Sequence, residues 1–422
     1  MAENFFFIFE NRRCEPLQPT THNRQPTTEK MSQKTKIQLS IMMFLQFFIW
    51  GAWYVTAATY WGEIGFQGSD IGNAYSTVSL AAIIAPLFVG MIADRFFEGQ
   101  KVLGVLHILG GIIMWWVASL TDASEVYWVV LLYSICYMPT IAIANAVAFH
   151  QMTDPEKEFP MIRVLGTIGW IIAGLIISGM EKSSTPMTIA AGASVLTGLF
   201  CFSLPSTPPK AKGEKVTVGK LLGFDALKLM KDRSFAILII SSLLISIPLA
   251  FYYTFTNPFL IEEGMENAAG KMTLGQVSEI VFMLLMPFFF RKLGVKKMIL
   301  IGMFCWVARY LLFAFGNSDE MIFMFYFGIL LHGICYDFFF VTGQIYVDKA
   351  APESVRSSAQ GLIALVTYGI GMYVGSIYSG QVVEQYTHSD GSHDWLAVWI
   401  IPAILAFVVM LVFAVLFKSQ KK

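Results

Sequence analysis

A run of about 28 residues around Asp337 is long and apolar enough to cross a bilayer with tilt, so it places a carboxylate at membrane depth. An acidic group there costs at least about 2.5–3.5 kcal/mol on insertion scales, and is by default a functional residue. The stretch reads Leu331-His332-Gly333-Ile334-Cys335-Tyr336-Asp337-Phe338-Phe339-Phe340. His332 and Tyr336 are four apart and share a helix face. At 100° per residue, Asp337 points roughly 140° away from His332. One face is therefore free to meet a ligand while the carboxylate meets a different partner.

The rest of the chain repeats this pattern. Of 422 residues, 56% are hydrophobic and only 14% charged, against about 25% in a soluble domain. Twelve apolar spans are expected, at 37–60, 71–93, 101–120, 125–149, 161–180, 186–204, 235–260, 273–291, 296–315, 319–347, 354–383 and 395–417. The fold class is an all-α polytopic membrane protein of two six-helix halves, 34–204 and 235–422. Residues 1–33 read as a disordered polar tail, with Met31 the expected true start, which N-terminal sequencing decides. Residues 205–234 hold three prolines and seven basic residues and read as a linker, with a short amphipathic helix near 221–230.

Lys and Arg cluster on one set of loops, including Arg95, Lys101, Lys157, Arg291, Lys297, Lys349 and Arg356, together with the linker. The opposite loops carry only Lys182 and Lys271. This asymmetry puts both termini and the linker in the cytoplasm. The halves also echo each other. Ile135-Cys136-Tyr137 recurs as Ile334-Cys335-Tyr336, a shift of 335 − 136 = 199, and Ala52-Trp53-Tyr54 as Ala250-Phe251-Tyr252, a shift of 250 − 52 = 198. Two matches at nearly one offset favour a parallel repeat, in which the substrate sits near the midplane between halves.

The formal charge of zero implies no bulk attraction to nucleic acid. The five cysteines are scattered and read as packing residues. With no phosphate-binding glycine loop, nucleophile elbow or metal-ligand cluster in view, no catalytic residue, metal or cofactor is expected, nor an ATP-driven mechanism.

Polar residues inside the spans mark candidate sites. Arg163, Thr167 and Trp170 fall at i, i+4 and i+7: a cation, a hydroxyl and an aromatic platform on one stripe. Either they meet a flat polar ligand, or Arg163 snorkels to the interface. Gln276 and Glu279 face together and offer both donors and acceptors; Glu279 is also able to carry a proton, unless this region is still outer loop. Arg309 lies inside an apolar span and needs an anion, for which Asp337 is the expected partner; that pair is either static or breaks on protonation. Gln46, Trp50 and Trp53 share a face that reads as packing. Pro139 and Pro248 are expected to interrupt their helices and free carbonyls to line a cavity. Asp94-Arg95, closing Gly90-Met91-Ile92-Ala93-Asp94-Arg95, resembles the cytoplasmic loop signature of the major facilitator superfamily, a latch between halves; Phe97 departs from it, and the alternative is a tight solvated turn.

Six stretches taken together resemble the bacterial nucleoside:proton symporters of that superfamily. They are Phe44-Leu45-Gln46-Phe47 with Trp50-Gly51-Ala52-Trp53; Tyr137-Met138-Pro139-Thr140; Phe159-Pro160-Met161-Ile162-Arg163 with Gly166-Thr167-Ile168-Gly169; Gln276-Val277-Ser278-Glu279; Tyr336-Asp337-Phe338-Phe339; and Ser358-Ala359-Gln360-Gly361. The resemblance covers about 36–417 and implies proton-driven nucleoside import across a bacterial inner membrane, with lipid as surroundings. It implies substrate contacts by Arg163, Thr167, Trp170, Gln276, Glu279, His332 and Tyr336, and a transport role for Asp337. Proton coupling is expected at Asp337, then Glu279, with Arg309 as counter-charge, and the latch at Asp94 and Arg95. Ala250 and Tyr253 stand where the family carries amides, which keeps a sugar or modified nucleoside as the alternative solute. A signalling protein on a transporter fold is disfavoured by the linker of only about 30 residues.

Overall fold

The computed structural model describes residues 31–95, 97–209 and 224–418; the side chains of 86–96 and of Glu156 also lie outside the described residues. Of the tail expected to be disordered, residues 1–30 fall outside that range, as do residues 210–223 of the linker; Gln33 already begins the first helix. Of the linker helix, Phe224–Lys231 is described, as a 3-10 helix.

The chain folds as helices α1 (Gln33–Trp53), α2 (Ala57–Glu63), α3 (Gly68–Arg95), α4 (Gly99–Val117), α5 (Ala123–Gln151), α6 (Pro155–Ile177) and α7 (Thr185–Cys201), then α8 (Arg233–Glu262) and α9 (Ala268–Phe315). After these come α10 (Ile322–Leu330), α11 (His332–Tyr336), α12 (Thr342–Ala350), α13 (Arg356–Ala364), α14 (Met372–Gln385) and α15 (Trp395–Leu416). Among the described residues, nine helical stretches are long and apolar enough to cross a membrane. One of them, α9, covers two expected spans and turns between them at Gly294, whose φ of 67° suits a residue without a Cβ. Local chemistry sets the helix starts. Side-chain oxygens of Ser32, Asp122, Asp232 and Asp394 each accept from the backbone N–H three residues on, at 3.1, 2.9, 2.8 and 3.0 Å.

Pro139 and Pro248 do not interrupt their helices: α5 and α8 run through both. The Pro248 carbonyl accepts from the Tyr310 hydroxyl at 2.5 Å, which ties α8 to α9. Two π-helical segments were not foreseen. Asp337–Val341 joins α11 to α12, and Leu365–Gly371 joins α13 to α14. They pack together through Tyr368, whose hydroxyl lies 2.8 Å from that of Tyr336 and whose ring lies 6.3 Å from Phe340.

The halves are tied at the end away from the basic loops. Thr59 Oγ1 donates to Asn257 Oδ1 at 2.6 Å, and the Ser69 N–H to Glu384 Oε2 at 2.9 Å. The N–H groups of Ala269 and Gly270 donate to Glu181 Oε1 at 3.2 Å and Ser178 Oγ at 3.3 Å. Beside these bonds α3 and α14 meet backbone to backbone, and a Cβ on Gly68 would lie 2.5 Å from the Gly380 oxygen. Thr59 and Asn257 are 198 apart, the offset of the sequence repeat. They are therefore counterparts in the sequence repeat. Gly72→Val, whose Cβ would strike the Ser376 carbonyl oxygen, is expected to wedge this seam open. Labelling of a Thr59→Cys reporter by an impermeant maleimide is then expected to rise severalfold, and unchanged labelling would mean that this contact does not close the seam.

Candidate functional site

The helical period of α6 delivers the expected stripe. Arg163 and Thr167 are buried, and the guanidinium carbon of Arg163 lies 4.0 Å from the Phe47 ring centroid. At that distance it makes a cation–π contact inside the first half, so it does not snorkel. Gly166, between them, leaves room for both: a Cβ there would lie 2.5 Å from Arg163 Nη1 and from Phe47. Trp170 packs edge-on to Trp50 with ring centroids 5.6 Å apart.

From the second half, α9 brings Gln276 and Glu279. Glu279 is 7% exposed, three turns into the helix, and its backbone N would touch a Cβ on Gly333. This burial against α11 rules out an outer-loop position. A narrow cleft between the halves is lined by Phe47, Thr167, Trp170, Tyr253, Gln276 and Glu279. It is continued by a second space that shares Trp170, Tyr253 and Gln276 and adds Val55, Tyr252 and Met272. Four of the seven expected contact residues thus share one cleft, and Arg163 adjoins it through Gly166.

His332 and Tyr336 stand behind the cleft wall. His332 Nε2 is 3.8 Å from Glu279 Oε2 and 3.5 Å from the Tyr253 hydroxyl. Its ring stacks on Tyr252 at 5.0 Å and on Tyr336 at 5.7 Å. Asp337 is fully buried at the start of the first π segment.

Arg309 does not pair with Asp337, contrary to the sequence expectation. Its Nε donates to the Gly328 carbonyl at 2.9 Å, and its guanidinium carbon lies 4.1 Å from the Tyr252 centroid and 5.0 Å from that of Trp306. The reason is axial register. Gly302 faces Phe338 and Phe339, while Arg309 faces Gly328 on the same neighbouring span. Arg309 is 309 − 302 = 7 residues farther along, or about 10 Å at 1.5 Å per residue. Of the latch, α3 ends at Arg95, but the side chains of Asp94 and Arg95 lie outside the described residues.

Sequence reasoning missed Phe47, Tyr252 and Tyr253 as wall residues. Phe47 follows Gln46 in a quoted stretch, and Tyr253 was noted only as a departure. Ala250, the other departure, does not face the cleft; its Cβ would lie 2.7 Å from one added at Gly375, on α14.

Comparison with known proteins adds the family. The Spinster homologue and the peptide transporter PepTSo match at TM-scores of 0.67 and 0.66 with 13% identity, which shows the fold alone. The crystal structure of the nucleoside transporter NupG matches at a TM-score of 0.85 with 33% identity, covering 92% of this chain and 100% of that one. The putative nucleoside transporter YegT of Escherichia coli K12 is 42% identical over 403 residues, 92% of this chain and 95% of the relative. The xanthosine permease of the same organism is 34% identical over 400 residues, 90% and 96% of the two chains. The nucleoside H+ symporter family model matches residues 33–422, and the chain belongs to that family.

Proposed function

We propose that this chain imports nucleosides together with protons by alternating access, in the cytoplasmic membrane with both termini and the linker inside. The observation that carries the reading is the cleft between the halves. It combines an aromatic wall with an amide and a carboxylate, the chemistry a nucleoside needs for stacking and for hydrogen bonding. Trp170 offers its face to the base. Gln276 and Glu279 take the donors and acceptors of base or ribose, and Arg163 and Thr167 hold the opposite side. His332 and Tyr336 support the wall through Tyr252 and Tyr253. Asp337 carries the coupling proton, with Glu279 the second choice. Arg309 acts as a fixed buried cation on the Tyr252–His332 stack, not as the partner of Asp337. Asp94 and Arg95 close the cytoplasmic side.

A second reading, a sugar or modified nucleoside as solute, is favoured by Tyr253. It lines both spaces of the cleft with a phenol where the resembled family has an amide.

Uptake of radiolabelled uridine and adenosine in cells lacking their own permeases tests the proposal. Accumulation that collapses with a protonophore is expected; none, from protein shown to be in the membrane, would turn the search to sugars. Asp337→Asn is expected to lose uphill uptake yet keep exchange of internal for external substrate, and uphill uptake at the wild-type level would remove Asp337 from coupling. Arg163→Ala is expected to weaken binding by about 1.5–3 kcal/mol, the scale for hydrogen bonds to a charged group, read as a ten- to hundredfold rise in Kd. An unchanged Kd would leave Arg163 a packing residue.

A further inference from the structure

The first half holds a buried polar chain that no transport step above uses. His107 on α4 is 1% exposed. Its Nε2 lies 2.9 Å from Gln46 Oε1 on α1, and its Nδ1 lies 3.3 Å from Ser194 Oγ on α7. Ser194 Oγ in turn lies 2.9 Å from the His107 carbonyl, to which it donates. Gln46 Nε2 donates to Thr140 Oγ1 at 2.7 Å, on α5. One chain of hydrogen bonds therefore joins α1, α4, α5 and α7.

Donor bookkeeping fixes the imidazole. Gln46 spends its amide N–H on Thr140, so its Oε1 is the acceptor and His107 Nε2 carries the hydrogen. Both ends of the Gln46 side chain are used, so it is not open to a ligand although it sits four residues before Trp50. The backbone is held as well: the Tyr137 hydroxyl donates to the Gln46 carbonyl. The Tyr137 ring lies edge-on to His107 at 6.0 Å and to Trp50 at 5.9 Å. Trp50 then meets Trp170, which lines both spaces of the cleft.

We infer that His107 is a positioning residue for the substrate site: bonded to Gln46, it fixes the turn of α1 that sets Trp50 against Trp170. A buried polar group that loses its partner pays its desolvation cost in full, so the chain holds one arrangement and the aromatic wall inherits it. The assignment rests on the nucleoside-transport reading for its probe, uridine.

Uptake kinetics at matched amounts of membrane-inserted protein test it. His107→Leu keeps bulk and loses the Nε2–H bond to Gln46; Km is expected to rise about tenfold with Vmax within about twofold. His107→Gln places an amide nitrogen where Nε2 was and is expected to bring Km back to within about threefold of wild type. Gln46→Leu, which also loses the Thr140 bond, is expected to raise Km at least as much, with the double variant no worse than Gln46→Leu, because both cut the His107–Gln46 link. The pH profile of uptake is expected to stay that of wild type. Near-UV circular dichroism of purified protein reads the Trp50–Trp170 wall without substrate and is expected to change in His107→Leu and recover in His107→Gln. If His107→Leu does not reach the membrane, Gln46→Leu and His107→Gln carry the same comparisons. A loss of Vmax with Km unmoved, additive effects, or an unchanged spectrum would reduce His107 to packing. An altered pH profile would make it a proton-handling group instead; either result overturns the inference. Absence of uridine uptake by the wild type would count against the functional reading, and the spectra would still decide this one.

Discussion

Lipid tails offer no hydrogen bonds, and nearly everything in this molecule follows from that. The backbone satisfies itself in helices, and at four helix starts a Ser or Asp side chain accepts an N–H that no helix carbonyl reaches. Some polar side chains inside the bundle meet the same demand. Gln46 donates to Thr140 and accepts from His107, and Ser194 donates to the His107 carbonyl. Arg309 is met by one carbonyl and two aromatic faces, a solution that keeps a permanent charge inside without spending a carboxylate on it.

The two kinds of contact in the fold differ in strength, and the difference is useful. Within the first half, the polar chain and stacked aromatics make a rigid block. Between the halves, the described seam includes bare glycine contacts, side-chain packing such as Tyr54 on Tyr253, and four hydrogen bonds, two neutral and two to carboxylates. At net values of about 0.5–1.5 kcal/mol for a neutral bond and about 1.5–3 for one to a charged group, these four bonds total several kcal/mol. A solute bound at millimolar to micromolar affinity releases about 4–8 kcal/mol. The polar part of the seam is thus of the size that binding in the adjoining cleft can offset.

What could be read from the sequence was what helical periodicity controls. The Arg163–Thr167–Trp170 stripe, the Gln276–Glu279 pair and the shared face of His332 and Tyr336 are angular relations along one helix, and each holds in the fold. The 198-residue repeat offset reappears as a hydrogen bond between counterparts. What could not be read was axial register between helices. Arg309 and Asp337 looked like partners because their spans are neighbours, yet a slide of about 10 Å separates their levels. The π segments escaped for a related reason: they insert one residue into a turn, which leaves hydropathy unchanged. Tyr253 escaped because a tyrosine facing a cleft and one facing a neighbouring helix have the same sequence signature.

The position of the Thr59–Asn257 bond has a mechanical consequence. It ties two counterparts at one end of a bundle whose apolar depth is about 30 Å. A tether at one end makes each half a lever with that end as its fulcrum. Tilting each half by about 5° then parts the far ends by about 5 Å in total, since two arms of about 30 Å each move about 2.6 Å. Movements at the tethered end remain a fraction of an ångström, within the play of a hydrogen bond. The contacts at that end can therefore serve as a bearing: they need little strength, only a place at one end of the bundle.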